Sequence, residues 1–259
     1  MLFLISPAKA LDYETPPHVK THTQPLFVEN ATELIAVMRE KSPQQIAELM
    51  GLSDALSGLN AARYQAWVPK FTAKNSKQAV LAFDGDVYGG LDAKTLSEAE
   101  LDWLQDHLCI LSGLYGVLRP LDWMQPYRLE MGTRVVTPRG KNLYQFWGTQ
   151  IADYLNQRAA AEKTPVVVNL ASEEYFKAVD RRVLLPRVVT CVFEERKADG
   201  YKIVSFFAKR ARGLMARYAV KHRVMRVEQL KNFAEEGYRF APSVSEPDRL
   251  VFRRDGVPA

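Results

Sequence analysis

Apolar residues along the chain follow two rhythms. Uninterrupted runs at Leu2–Ile5 and Val166–Leu170 predict strands buried on both faces. Ala79–Phe83, closed by Asp84-Gly85-Asp86, predicts another. Val188–Glu195 and Tyr201–Phe207 read as a strand pair joined through Asp199-Gly200, with Tyr238–Phe240 and Leu250–Arg253 as late strands. Elsewhere the spacing is helical. Leu34, Ile35 and Met38 share a face within Ala31–Glu40. Ser42-Pro43 carries an N-cap and first-turn proline for a second helix, and Asp54–Trp67 makes a third. Further helices are predicted over Glu98–Leu108 behind Ser97, Leu143–Arg158, Ser172–Val179, Ala208–Arg223 and Glu228–Phe233. Cys109–Leu118 fits strand or helix, because Ser112-Gly113 and Gly116 interrupt it.

Strands and helices intermingle without a regular βαβ series, and no linker composition divides them. The expectation is an α+β fold: a single compact mixed α/β domain spanning residues 1–259. The apolar fraction of 47% is enough for a sizeable core. Two cysteines, Cys109 and Cys191, lie far apart in no metal spacing, which points to a reducing, cytoplasmic setting. The apolar start is five residues long and reads as a strand, not a signal peptide. No apolar stretch reaches membrane-spanning length, so no membrane partner is expected.

Net charge is +5, which says little until the charges are located. Tyr201–Arg226 holds eight Lys/Arg and no acid. On a helix from Ala208, Arg210, Arg217 and Lys221 fall within about 40° of one another, while Lys209, Arg212 and Arg223 take the far side. Gly213 and Ala216 lie between them, where small side chains let a phosphate backbone approach. A solvated amphipathic helix usually mixes its signs. An acid-free one points to a polyanion. A second basic stretch sets Arg119, Arg128, Arg134, Arg139 and Lys141 among Trp123, Tyr127 and Tyr144.

Polar residues also gather after predicted strands. These are Ser6 and Lys9, then Asp84 and Asp86, then Asn169, Ser172 and Glu174 with Tyr175 and Lys177 beyond. Strands sharing one sheet would bring these ends into a crevice with Arg128 and Glu130. Lys9, Asp84 and Glu174 are therefore the candidate catalytic residues of an enzyme acting on a nucleotide or damaged nucleic acid, although no reaction is assigned. The four histidines, His18, His22, His107 and His222, form no ligand motif, and Asp84-Gly85-Asp86 reads as a turn. No metal or cofactor is expected.

Several segments together resemble the YaaA peroxide-stress family, also called DUF328. They are residues 4–13 (LISPAKALDY), 59–67 (LNAARYQAW), 82–91 (AFDGDVYGGL), 111–134 (LSGLYGVLRPLDWMQPYRLEMGTR), 143–148 (LYQFWG), 169–179 (NLASEEYFKAV) and 205–218 (SFFAKRARGLMARY). Their series covers nearly the whole chain. The resemblance implies a cytosolic protein that protects against hydrogen peroxide by limiting unincorporated iron. It also implies a family-specific single-domain fold, and DNA binding through a positively charged cleft with a helix-hairpin-helix element. DNA, double-stranded or branched, is then the expected partner of a monomer. The expected contacts are Arg63, Arg119, Arg128, Lys209, Arg210, Arg212, Arg217 and Lys221. Two Gly-containing stretches are candidates for the hairpin, where backbone N–H groups meet phosphate. One is at Gly58 between helical flanks, which is preferred. The other runs over Gly113 and Gly116.

Overall fold

The central strands are the apolar runs. In the computed structural model, which describes residues 1–256, Leu2–Ile5 (β1) is buried at every position. Around it the main sheet contains Leu108–Ser112 (β2), Gly116–Leu118 (β3), Val166–Asn169 (β4), Arg187–Lys197 (β5), Gly200–Lys202 (β6), Arg239–Phe240 (β7) and Arg249–Arg254 (β8). The order is β7-β8-β5-β4-β1-β2-β3, with β6 hairpinned onto β5. Strands β8, β5, β4, β1 and β2 run parallel, and the antiparallel members β3, β6 and β7 lie outside them. The architecture is thus α/β with a mostly parallel sheet, which corrects the α+β expectation. The crossovers are long and irregular, so no βαβ rhythm shows in the sequence.

Helices of six or more residues, among those described, are Val28–Arg39 (α1), Pro43–Met50 (α2), Asp54–Ala66 (α3), Asp86–Leu91 (α4), Glu98–His107 (α5), Gln150–Ala159 (α6) and Ser205–Lys221 (α7). Two starts follow their sequence signals. Ser42 and Ser97 each accept from the backbone N–H three residues on, and Gln45 and Glu100 reach back to complete capping boxes. One contiguous core runs from β1 through the sheet to the inner faces of these helices.

Three segments depart from expectation, and a fourth, open between strand and helix by sequence, is resolved. Ala79–Ala82 is a short helix followed by the two-residue strand Phe83–Asp84, since its apolar run fills an interior corner and not a sheet. The Leu143–Arg158 helix breaks at Gly148, whose φ of +51° ends the first piece. The strand expected over Tyr201–Phe207 stops at Lys202, and α7 begins at Ser205. Cys109–Leu118 resolves as β2, a turn, and β3, with Gly116 at φ +65°.

Helix α7 owes its position to two glycines. A Cβ at Gly213 would lie 1.8 Å from the Val87 carbonyl oxygen, and one at Gly90 would lie 2.2 Å from that of Arg210. Backbone packs on backbone where α7 crosses α4. Gly213, read from sequence as clearance for a phosphate, instead gives clearance to a neighbouring helix, and Ala216 beside it is buried.

Candidate functional site

After β1 the chain leads to β2 on one side. After β4, which lies on the other side of β1, it leads outward to β5. The carboxyl ends of β1 and β4 therefore flank a topological switch point, where open α/β sheets leave a crevice. A cavity of about 440 Å³ opens there. Its walls come from the loop after β1 (Ser6 to Ala10), the segment Asp84 to Tyr88, the stretch Tyr127 to Glu130, the turn after β4 (Ser172, Glu174, Tyr175) and Lys209 and Arg212 of α7. The structure thus brings Lys9, Asp84, Glu174, Arg128, Lys209 and Arg212 together in one crevice.

The charges in the crevice are balanced and unequally partnered. Four cations (Lys9, Arg128, Lys209, Arg212) face four carboxylates (Asp84, Asp86, Glu130, Glu174). Glu130 holds two of the cations, with Lys9 Nζ at 2.8 Å and Arg128 Nη2 at 3.1 Å. Glu174 accepts from the Gly132 N–H at 2.8 Å, a contact a side chain at 132 would crowd. Ser172 sits at a helix start as expected, but its side chain makes no cap. Its N–H donates to Ser6 Oγ at 2.9 Å, and the two hydroxyls lie 3.3 Å apart, tying β1 to β4 across the switch point. Tyr88, Tyr127 and Tyr175 supply buried rings. Tyr88 donates to the Ser6 carbonyl, and Tyr127 shares a hydrogen bond with Ser112. Burial pushes all three phenols above their ordinary range, so they stay protonated.

Arg212 stands apart. It is partly buried and, among the described residues, has neither an ion-pair nor a hydrogen-bond partner. Burial lowers its pKa, and no charged neighbour opposes that shift. Three other basic residues of α7, and Arg223 just beyond it, are occupied. Arg210 grips Glu236 through Nε at 2.9 and 3.0 Å and through Nη2. Arg217 Nη1 donates to the carbonyls of Leu91 and Asp92, each at 2.9 Å. Lys221 pairs with Glu100 at 2.7 Å, and Arg223 lies over the Trp103 ring.

Other expected contacts lie elsewhere. Arg119 is bound to the buried Asp122 and to the Gln24 carbonyl. Arg139 pairs with Glu33. Arg63, half-buried, donates to Asn60 and feels Tyr13 and Arg128 nearby, but it is not part of the crevice wall. Trp123 stacks on His22, with ring centroids 3.5 Å apart.

Both hairpin candidates need correction. Gly58 lies inside the unbroken helix α3, because helical spacing continues straight through it. Gly113 lies in the turn between the antiparallel strands β2 and β3, and Gly116 opens β3. A Cβ at Gly113 would meet the Leu129 carbonyl at 2.2 Å, so that glycine serves packing. The helix-to-helix turn lies just upstream of Gly58, between α2 and α3, with Gly51 at φ +62°.

Among the described residues, no group of three or more His, Cys, Asp or Glu is arranged to hold a metal, and no helix is long and apolar enough to cross a membrane. Burial pushes both cysteine thiols up to about 12, leaving neither as a peroxide-reactive thiolate at neutral pH.

Sequence reasoning missed Tyr88 and Glu236. Tyr88 lies in the Gly85–Leu91 segment whose paired Gly89-Gly90 signalled close packing. Glu236 had no local signal, since its partner Arg210 is 26 residues away.

Comparison with known proteins matches this sequence to one family. Residues 1–244 match the family described as Peroxide stress protein YaaA. A UPF0246 protein of Polaromonas sp. (strain JS666 / ATCC BAA-500) is 74% identical over 254 residues, covering 98% of each chain. One from Albidiferax ferrireducens is 67% identical over 98% of each chain. One from Bordetella pertussis is 64% identical, covering 98% of this chain and 99% of its own. With its switch-point crevice and its full-length likeness to these proteins, the chain belongs to the YaaA peroxide-stress family.

Proposed function

We propose that the protein protects against peroxide by binding DNA, largely without regard to sequence, with the switch-point crevice as its grip. The convergence of Lys209 and Arg212 with Lys9 and Arg128 on one crevice carries this reading. The α2–Gly51–α3 pair is the element that best suits the expected helical hairpin. Peroxide and ferrous iron generate hydroxyl radical where iron meets DNA. Covering DNA and lowering free iron then serve the same end, with the iron effect indirect, in the cytoplasm. The test is DNA affinity across salt. The logarithmic slope should be about −0.9 per phosphate neutralised. Lys209→Ala with Arg212→Met should weaken binding equally for unrelated sequences. Unchanged affinity and slope in this double variant would remove the crevice from the reading.

One observation favours a second reading, an enzyme acting on a nucleotide or damaged nucleic acid. The crevice mixes cations with carboxylates, as reaction sites do, whereas a phosphate-backbone trough is purely basic. On that reading Lys9→Ala abolishes product formation while folding and DNA affinity persist.

A further inference from the structure

A guanidinium withdrawn from water without a partner is costly, and proteins ordinarily pair it or leave it exposed. Arg210 and Arg217 on α7 obey that rule, whereas Arg212, partly buried, lines the cavity with no anion or carbonyl against it among the described residues. Lys209, one turn earlier, lines the same wall without an ion pair among the described residues. These two cations mark one anion-binding pole. The carboxylates make the rest of the lining unlike a trough for a bare phosphate chain. Glu130 is spent on Lys9 and Arg128, but among the described residues the Asp84 and Asp86 carboxylates accept no side-chain or backbone donor, and one oxygen of Glu174 is also free. Free carboxylates repel a second phosphate and accept hydroxyl or amino donors. The same cavity is lined by the buried residues Tyr88, Tyr127 and Tyr175. Phe206, three residues before Lys209 and so on the same helical face, is 57% exposed. An anion, a set of donors and a flat ring describe a nucleotide, and the cavity lies within the usual range for small-molecule sites, roughly 300–1,000 Å³.

We propose that the crevice binds a single nucleoside monophosphate unit, its phosphate on Arg212 and Lys209 and its donor-bearing sugar or base edge on Glu174 and the Asp84–Asp86 segment. The inference builds on the reading of the crevice as the nucleic-acid site. The unit has two chemical sources, a free nucleotide or an unpaired nucleotide at a DNA end.

Calorimetric titration of the full chain with 5′-dAMP, 5′-dGMP, 5′-dCMP, 5′-dTMP and inorganic phosphate tests it. At least one nucleotide should bind ten-fold or more tightly than phosphate, and Arg212→Met should lose ten-fold or more. Arg212→Met should also keep or raise the melting temperature, because it deletes no protein contact. Glu174→Gln should weaken nucleotides without altering inorganic phosphate. Competition by a duplex with a 5′-phosphorylated single-stranded overhang, but not by a blunt duplex, makes the DNA end the source. Without such competition, the source is the free nucleotide. No nucleotide binding, nucleotides no tighter than phosphate, or an unaffected Arg212→Met overturns the proposal. Blunt duplex bound by both wild type and Arg212→Met with no nucleotide affinity leaves the DNA reading standing alone. Nucleotide affinity with no binding to any DNA does the reverse.

Discussion

Helix α7 has two basic populations that look alike in sequence. Lys209 and Arg212 face the crevice without partners among the described residues. Arg210, Arg217 and Lys221 are bound to Glu236, to the carbonyls ending α4, and to Glu100. An acid-free stretch is a statement about local sequence, and the acids that neutralise it come from segments 26 and 121 residues away. The charges expected to cluster outward are thus the structural ones, while two from the opposite side are free. Free charge, not counted charge, is what a polyanion meets.

The harshest way to break the comparison is to displace the helix that carries both populations. Gly213→Val puts a branched side chain where even a Cβ would sit 1.8 Å from the Val87 carbonyl oxygen. Overpacking costs typically 1–3 kcal/mol, and here backbone is the obstacle, so a loss of about 3 kcal/mol is expected in urea unfolding. Both the crevice cations and the paired ones should lose their function together. A native-like unfolding midpoint would show that α4 can move aside freely.

Exchanging the populations gives the next largest effect. Lys209→Ala with Arg212→Met should lower DNA affinity about ten-fold, roughly 1.4 kcal/mol, with melting unchanged. Arg210→Ala with Arg217→Ala should lower stability by about 1–2 kcal/mol, since carbonyls and a carboxylate lose their donors, and leave affinity nearly intact. Filter binding and thermal melting on the wild type and these two double variants check both halves. The opposite pattern would restore the outward basic face.

These experiments also measure how much was legible in sequence. The strands β1 and β4 were plain because central parallel strands are apolar throughout. The polar residues just after them could then be placed in one crevice, since a sheet aligns its carboxyl ends. The status of each charge was not legible. Glu236 lies in a short 3-10 turn at φ +46°, a backbone state no pattern at that position announces, and from there it meets Arg210. Gly58 misled for the opposite reason. Glycine permits a turn without requiring one, and the flanking residues of α3 favour helix strongly enough to run through it.

A gentler change sharpens the contrast by converting a bound cation into a free one. Glu236→Gln removes the carboxylate from Arg210, whose side chain remains partly exposed. Solvent already screens this pair, so the stability loss should be about 0.5–1 kcal/mol. The released guanidinium adds one free positive charge to the helix that carries Arg212, on its opposite side. DNA affinity should rise a few-fold, and the salt slope should steepen by about one. An unchanged slope would show that pairing is not what silences Arg210.

The smallest effect lies at the far end of α7, where Lys221 meets Glu100. The Lys221 ammonium, with the Ser97 N–H of the capping box, holds the Glu100 carboxyl down at about 2. A carboxylate with a depressed folded-state pKa adds stability that is fully present above its unfolded value. That stability is lost as pH falls through the folded one. The window therefore runs from about 4.5 down to about 2. The pair lies at the surface with Lys221 39% exposed, so its share is a few tenths of a kcal/mol. Lys221→Ala should move the Glu100 titration, followed by carboxyl NMR shift, back toward the ordinary range while the Ser97 N–H still holds part of the depression. Nucleotide and DNA affinity at neutral pH should not change. A Glu100 titration unmoved by Lys221→Ala would assign the whole depression to the capping box, leaving Lys221 as free as Lys209 and moving the boundary between the two populations to the last turn of the helix.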